Sequence, residues 1–171
     1  MPKAIFSKPT HKLISAAHEA ALPAQPELKD GLDRFLTYRL HVLNKLTDRK
    51  TNELYEKSMQ LTLSDCRCLA VIGHFYPVSI NDLALYANLD KSQASRAAQR
   101  LVDEGLIGRQ SQEGDSRIVN LVLTKKGQRA YAKVIDIATR RNEDVFAALT
   151  PAERALLSGL LDKLIEYARG E

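Results

Sequence analysis

The chain has 171 residues, with 25 Lys and Arg against 21 Asp and Glu, a formal charge of +4 and a pI near 9.1. A composition of 44% hydrophobic and 27% charged residues is that of a globular chain long enough to bury a core, and it excludes collagens, knottins, porins and disordered acidic tails. No run approaches the roughly 18 apolar residues of a membrane span, the segment MPKAIFSKPTHK has no secretory apolar core, and two cysteines suit a reducing compartment better than a disulfide framework; the expectation is a cytoplasmic protein with no membrane partner.

Residues 1–26 carry Pro2, Pro9, Pro23 and Pro26 and read as an extension, with a short helix in HKLISAAHEAAL. From Leu28 the apolar positions Leu28, Leu32, Phe35, Leu36, Leu40 and Leu43 follow helical spacing to about Thr47, and a separate helical piece, NELYEKSM, comes next. Thr62 with Asp65 three residues on is a capping pair opening a helix with the stripe Cys66, Leu69, Ala70 and Gly73, and Pro77 interrupts its continuation. Ser79 and Asp82 repeat the pattern for a helix with Leu83, Ala84 and Ala87 on one face. After the tight link Asn88-Leu89, Asp90 and Gln93 cap a further helix that Gly105 stops. LIGRQ and RIVNLVL, separated by the turn-rich QEGDS, form a hairpin. Thr124 starts a long helix with Ala130, Val134, Ala138, Val145 and Phe146 along it. Thr150-Pro151-Ala152-Glu153 opens the last, which carries Leu156, Leu157, Leu160, Leu161, Leu164 and Ile165. The fold class is therefore mainly α with a small β element, a winged helix–turn–helix flanked by helices. The chain divides into an extension at 1–26, helical regions at 27–61 and 124–171 expected to pair two copies, and the winged helix–turn–helix at 62–123, the expected binding domain.

The charge is concentrated. Lys91, Arg96, Arg100, Arg109, Arg117, Lys125, Lys126 and Arg129 face only Asp103, Glu104, Glu113 and Asp115 within 91–129, while the rest of the chain balances at 17 against 17. A solvated surface can carry such a cluster, and so can a footprint for a polyanion. Geometry separates the two. At about 100° per residue, Ala94, Ala97, Ala98, Leu101 and Val102 share one side of the helix, and Ser92, Arg96, Gln99 and Asp103 the other, with Ser95 and Arg100 flanking. Small residues on the buried side let the helix sit close to its partners. Arginine, glutamine and serine on the other are the chemistry that reads base edges and phosphates in a major groove. Asp115 and Arg117 stand at the hairpin turn, where an arginine can enter a minor groove and an aspartate can brace the loop.

These residues resemble the MarR family of winged-helix transcription regulators over roughly 28–170. The matching signals are Leu-Thr-Leu before the second core helix, Asn-Leu-Asp-Lys-Ser opening the recognition helix, Leu-Val-Asp-Glu-Gly-Leu-Ile closing it, Gly-Asp-Ser-Arg in the wing and Leu-Thr-x-x-Gly returning to helix. The resemblance implies a homodimer whose recognition helices enter successive major grooves of double-stranded DNA, with half-sites about 34 Å apart. It implies a DNA surface made of Lys91, Ser92, Gln93, Ser95, Arg96, Gln99, Arg100, Arg109, Asp115 and Arg117. It also implies repression relieved by a small molecule, an aromatic acid or its CoA thioester, in a crevice beside the dimer helices. Many relatives carry two basic residues on each wing strand; Gln110 and Ile118 stand beside those positions here, so a shallower salt dependence is expected.

Tyr38, Arg39, His41, Cys66 and His74 are the effector-site candidates. Arg39 suits a carboxylate or thioester phosphate, and an ion pair across a dimer explains it equally well. A solvent-facing or capping role is the simpler account of His74. Cys66 and Cys68 lie about 200° apart on a helix and cannot bond to each other there. Thiol-sensing relatives carry the reactive cysteine in the first helix, which has none here, so core or cavity-lining roles are expected of both. The four histidines lack metal spacing, and neither a metal nor another cofactor is expected. Gly114-Asp115-Ser116 resembles an esterase block, but no histidine follows His74 to serve as base; an enzyme is not expected. The readings left beside DNA binding are a winged-helix protein–protein adaptor and a thiol-based redox regulator.

Overall fold

The computed structural model describes residues 31–112 and 115–170, with side chains over 31–111 and 119–170. The chain divides into two compact units, 1–40 and 41–171. In the first, a 3-10 turn at Leu32–Arg34 precedes α1 (Leu36–Met59), which continues into the second. The second holds α2 (Leu63–His74), α3 (Ile80–Tyr86), α4 (Lys91–Asp103), the antiparallel pair β1 (Ile107–Gln112) and β2 (Asp115–Leu123), α5 (Lys125–Val145) and α6 (Pro151–Arg169). The mainly α winged-helix class holds. The expected helix in HKLISAAHEAAL, the start at Leu28 and the tip of the QEGDS turn lie outside the described residues.

One expectation fails. Residues 36–59 form a single helix, not a helix to Thr47 followed by a separate piece. The polar run that looked like a break satisfies itself within the helix. Thr51 Oγ1 donates to Thr47 O at 2.8 Å, Arg49 pairs with Glu53 at 3.2 Å, and Asn52 Nδ2 donates to Glu56 Oε1 at 2.9 Å. These are neighbours at i,i+4, and neither glycine nor proline intervenes.

The start and stop signals of the other helices are local, and they form as read. Capping boxes sit at Thr62/Asp65, Ser79/Asp82, Asp90/Gln93 and Thr150/Glu153, and Thr124 caps α5 through Gly127 N. The helix–turn–helix corner is made by Asn88 at φ 53°: Leu89 N reaches Ala84 O at 3.0 Å and Asn88 N reaches Leu85 O at 3.2 Å. Gly105, at φ 65°, ends α4 the same way, with Leu106 N on Leu101 O and Gly105 N on Val102 O. Both are Schellman closures with the left-handed residue that tolerates them.

The core lies inside the winged-helix lobe. Leu69 and Ile72 of α2, Val78 just before α3, Leu83 of α3, Leu101 of α4 and Val134 of α5 are its largest fully buried side chains. The wing joins it because Leu121 N donates to Val78 O at 2.9 Å, adding a bridge beside β2. Gly127 brings α5 against the end of α4, and a Cβ there would stand 1.8 Å from Leu106 O. Along α6, by contrast, no residue is buried, and Leu156, Leu160, Leu164 and Ile165 are exposed. No described helix is long and apolar enough to cross a membrane.

Candidate nucleic-acid interface

The α4 wheel is realised. Ala94, Ala97, Ala98 and Leu101 are buried, and Lys91, Ser92, Gln93, Ser95, Arg96, Gln99 and Arg100 are exposed along the rest of the surface. The alanine side packs on α2 and α3, so the polar side is held outward by backbone-close contacts that a bulkier face would not allow.

Four of the predicted contact residues already have partners. The Arg100 guanidinium donates from Nε and Nη2 to Asp65 Oδ1 at 2.9 and 2.6 Å. The Asp65 side chain is 3% exposed, and its other oxygen accepts from Thr62 N and Thr62 Oγ1 at 3.1 and 2.7 Å. Asp65 thus caps α2 and ties α4 to it. The Arg100 guanidinium is engaged with α2 and positions the helix, while its side chain stays 48% exposed. Arg109 Nη2 donates to Gln99 Oε1, and Gln99 Nε2 to Asp103 Oδ1, both at 2.7 Å. That chain fixes the Gln99 amide and couples β1 to α4. Gln93 belongs to the capping box, its Oε1 accepting from Asp90 N at 3.4 Å. Lys91, Ser92, Ser95 and Arg96 have no side-chain partner among the described residues. Asp115 and Arg117 occupy the start of β2, and their side chains lie outside the described residues.

The effector candidates fall in both units. Tyr38 and Arg39 are exposed in the first unit. In the second, His41 is exposed and His74 is exposed with its ring edge-on to Phe75 at 4.6 Å. Cys66 lines a cavity of about 430 Å³ among α1, α2 and α5. Its charged lining is Asp48, Arg67 and Arg141, with Tyr55, Thr47 and Thr51 as further polar groups. Leu63, Ala70, Ala138 and Phe146 supply an apolar part. Sequence reading missed Tyr55, Arg67 and Arg141. The usable signal was an arginine or tyrosine on an otherwise apolar stripe, and it was read on α1 alone.

Burial pushes the Cys66 thiol up to about 12, and the neighbouring Asp65 carboxylate adds to it. Cys68 is likewise raised to about 12 by burial and by Asp65, against a smaller opposing effect of Arg100. Both side chains are fully buried. A sensing thiolate needs the opposite surroundings, so the redox reading has no support in this geometry. Among the described residues, no group of three His, Cys, Asp or Glu could hold a metal ion.

A two-stranded wing, a capped recognition helix and a tight helix–turn–helix corner define a winged-helix protein of the nucleic-acid-binding type. Residues 59–118 match the model described as MarR family, the family that the sequence resembles. The chain is 33% identical over 96 residues to a putative transcriptional regulatory protein for the hcr operon of Thauera aromatica, covering 56% of this chain and 58% of that protein. It is 31% identical over 93 residues to the HTH-type transcriptional regulator BilQ of Clostridium symbiosum, covering 54% and 65%. The chain therefore spans under two thirds of the length of either relative. Among solved structures, a MarR/EmrR family regulator from Acinetobacter superposes with a TM-score of 0.76 over 83% of this chain and 100% of that chain, at 23% identity. Bordetella bronchiseptica BpsR, whose DNA binding is regulated by 6-hydroxynicotinic acid, does so at 0.72 over 80% and 97%, at 20% identity. These likenesses concern the fold.

Proposed function

We propose that this protein is a ligand-responsive transcriptional repressor that binds pseudo-palindromic double-stranded DNA as a homodimer. The observation that carries the reading is the outward face of α4. Lys91, Ser92, Ser95 and Arg96 have no side-chain partner among the described residues and stand on a helix clamped to the core by Asp65–Arg100 and followed by a wing that carries Arg109 and Arg117. Residues 62–123 then form the reading head, and 27–61 with 124–171 the dimerisation region. The exposed leucines of α6 support the second copy, since an apolar stripe of that length is stable in water only when covered.

The effector of this reading is a small anionic aromatic, or its acyl thioester, taken by the α1–α2–α5 cavity. Two arginines and an apolar wall in about 430 Å³ fit a compact anion with a ring. Gel shifts with the DNA upstream of its own gene, across a salt series, test the reading. Binding that falls as salt rises and is relieved by an aromatic acid supports it. Equal, salt-independent binding to every fragment, or none, overturns it.

A winged-helix adaptor is the second reading. It is favoured by exposed Phe75, Tyr76 and Tyr86, with Phe75 and Tyr86 stacked at 4.7 Å. Stoichiometric co-purification of a protein partner without DNA affinity supports that alternative.

A further inference from the structure

The cavity among α1, α2 and α5 carries its own carboxylate. Arg67 Nη2 on α2 donates to Asp48 Oδ1 on α1 at 2.7 Å, with the two side chains 36% and 31% exposed. Both line the cavity, and so does Arg141 of α5, whose side chain is 13% exposed. Arg141 has different partners: Asp144 Oδ2, 3.1 Å from Nη1, and Thr51 Oγ1, 3.5 Å from Nε. Asp144 does not line the cavity. The charged lining is thus two guanidinium groups and one carboxylate, and that carboxylate is committed to one of the guanidinium groups.

We propose that Asp48 is a built-in competitor for the effector: an anionic ligand enters the cavity by taking Arg67 from Asp48. The proposal rests on the reading of this cavity as the effector site. The pair is of the partly solvated kind, worth little stability and open to exchange. The Asp65–Arg100 pair, with its carboxylate 3% exposed, is not. A ligand carboxylate can match the guanidinium fork with two parallel hydrogen bonds, whereas the structure gives Asp48 a single one. A neutral amide of the same shape cannot replace the charge, so the exchange selects anions. It also releases the only side-chain ion pair between α1 and α2 among the described residues. The arginine taken by the ligand lies two residues from Asp65, which holds α4.

The test is calorimetric titration of the full chain with benzoate and with benzamide, for wild type, Asp48→Asn, Arg67→Gln and the double variant. Asp48→Ser serves as a second replacement, and a thermal melt of each variant confirms folding. Removing the competitor is expected to tighten benzoate binding about three- to five-fold, the size of a partly exposed ion pair, and to leave benzamide unchanged. Arg67→Gln is expected to weaken benzoate and to abolish the gain from Asp48→Asn. Benzoate binding that Asp48→Asn, Asp48→Ser or Arg67→Gln leaves unchanged overturns the exchange while the effector site stands. Absence of benzoate binding in wild type and in Asp48→Asn alike overturns both.

Discussion

Arg100, late in the recognition helix, donates twice to Oδ1 of Asp65, at 2.9 and 2.6 Å, while Oδ2 of the same carboxylate caps α2 by accepting from Thr62. One buried side chain therefore closes the start of one helix and sets the position of another. Asp65 is the only buried charged residue among the described residues, and it is buried because both of its oxygens are satisfied.

Removing Arg100 leaves that carboxylate without its cation. Arg100→Met is expected to lower unfolding stability by about 1–3 kcal/mol, less than for a fully buried pair because the arginine side chain is 48% exposed. Asp65→Ala, which also removes the Asp65 half of the α2 capping box, is expected to cost more. Urea unfolding followed by circular dichroism measures both, and equal stability of Arg100→Met and wild type would contradict the clamp.

Gly127 is demanded by the seam between α4 and α5. A methyl group there would meet Leu106 O at 1.8 Å, a contact that only backbone movement relieves. Gly127→Ala is expected to destabilise by about 1–3 kcal/mol or more, against the gain of a few tenths to ~1 kcal/mol that alanine brings to an unobstructed helix position. A thermal melt reads the sign directly.

Arg96 stands on the exposed face of α4 with no side-chain partner among the described residues. If it reads a base, Arg96→Ala is expected to weaken the specific site by about 1–3 kcal/mol while random DNA is little affected. Fluorescence anisotropy with specific and scrambled duplexes separates the cases. An equal loss on both assigns Arg96 to a phosphate, with a shallower salt slope.

The buried thiols give the fold an alkaline weakness. Cys66 and Cys68 are raised from 9.0 to about 12, and Tyr55 from 10.0 to about 12, in each case first by burial. Above pH 9 the unfolded chain loses thiol protons that the folded chain keeps, so stability falls as pH rises from about 9 toward 12, by up to roughly 1.4 kcal/mol per pH unit for each such group. Urea midpoints between pH 7 and 10.5 are expected to decline. The decline should be shallower in Cys66→Ala/Cys68→Ala, whatever that variant loses at neutral pH. At pH 7 both thiols stay protonated, and a thiol reagent is expected to modify the native protein far more slowly than the urea-unfolded chain.

The capping boxes, the Asn88 corner, the Gly105 stop and the alanine face of α4 were all legible in the chain, because each depends on residues within one or two turns of each other. The continuity of α1 was not. Its polar stretch from Thr47 to Lys50 has no apolar stripe to read, and it stays helical through side chains that answer one another at i,i+4. The DNA face was legible as a set of exposed positions. That Arg100, Gln99 and Arg109 are engaged within the protein was not, since Arg100 and Asp65 are 35 residues apart and Arg109 and Gln99 lie on different elements.

The sequence by itself determined the order of elements, the winged-helix class and the face of α4 that turns outward, since these follow from periodicity and short-range hydrogen bonding. Only the tertiary structure decided which charges are spent inside the molecule and where a cavity forms. Arg67 and Asp48 are 19 residues apart and Arg141 lies 74 beyond Arg67, and no local pattern brings them to one cavity. Packing of α1, α2 and α5 around a shared apolar wall does, because burying that wall draws the neighbouring charges together.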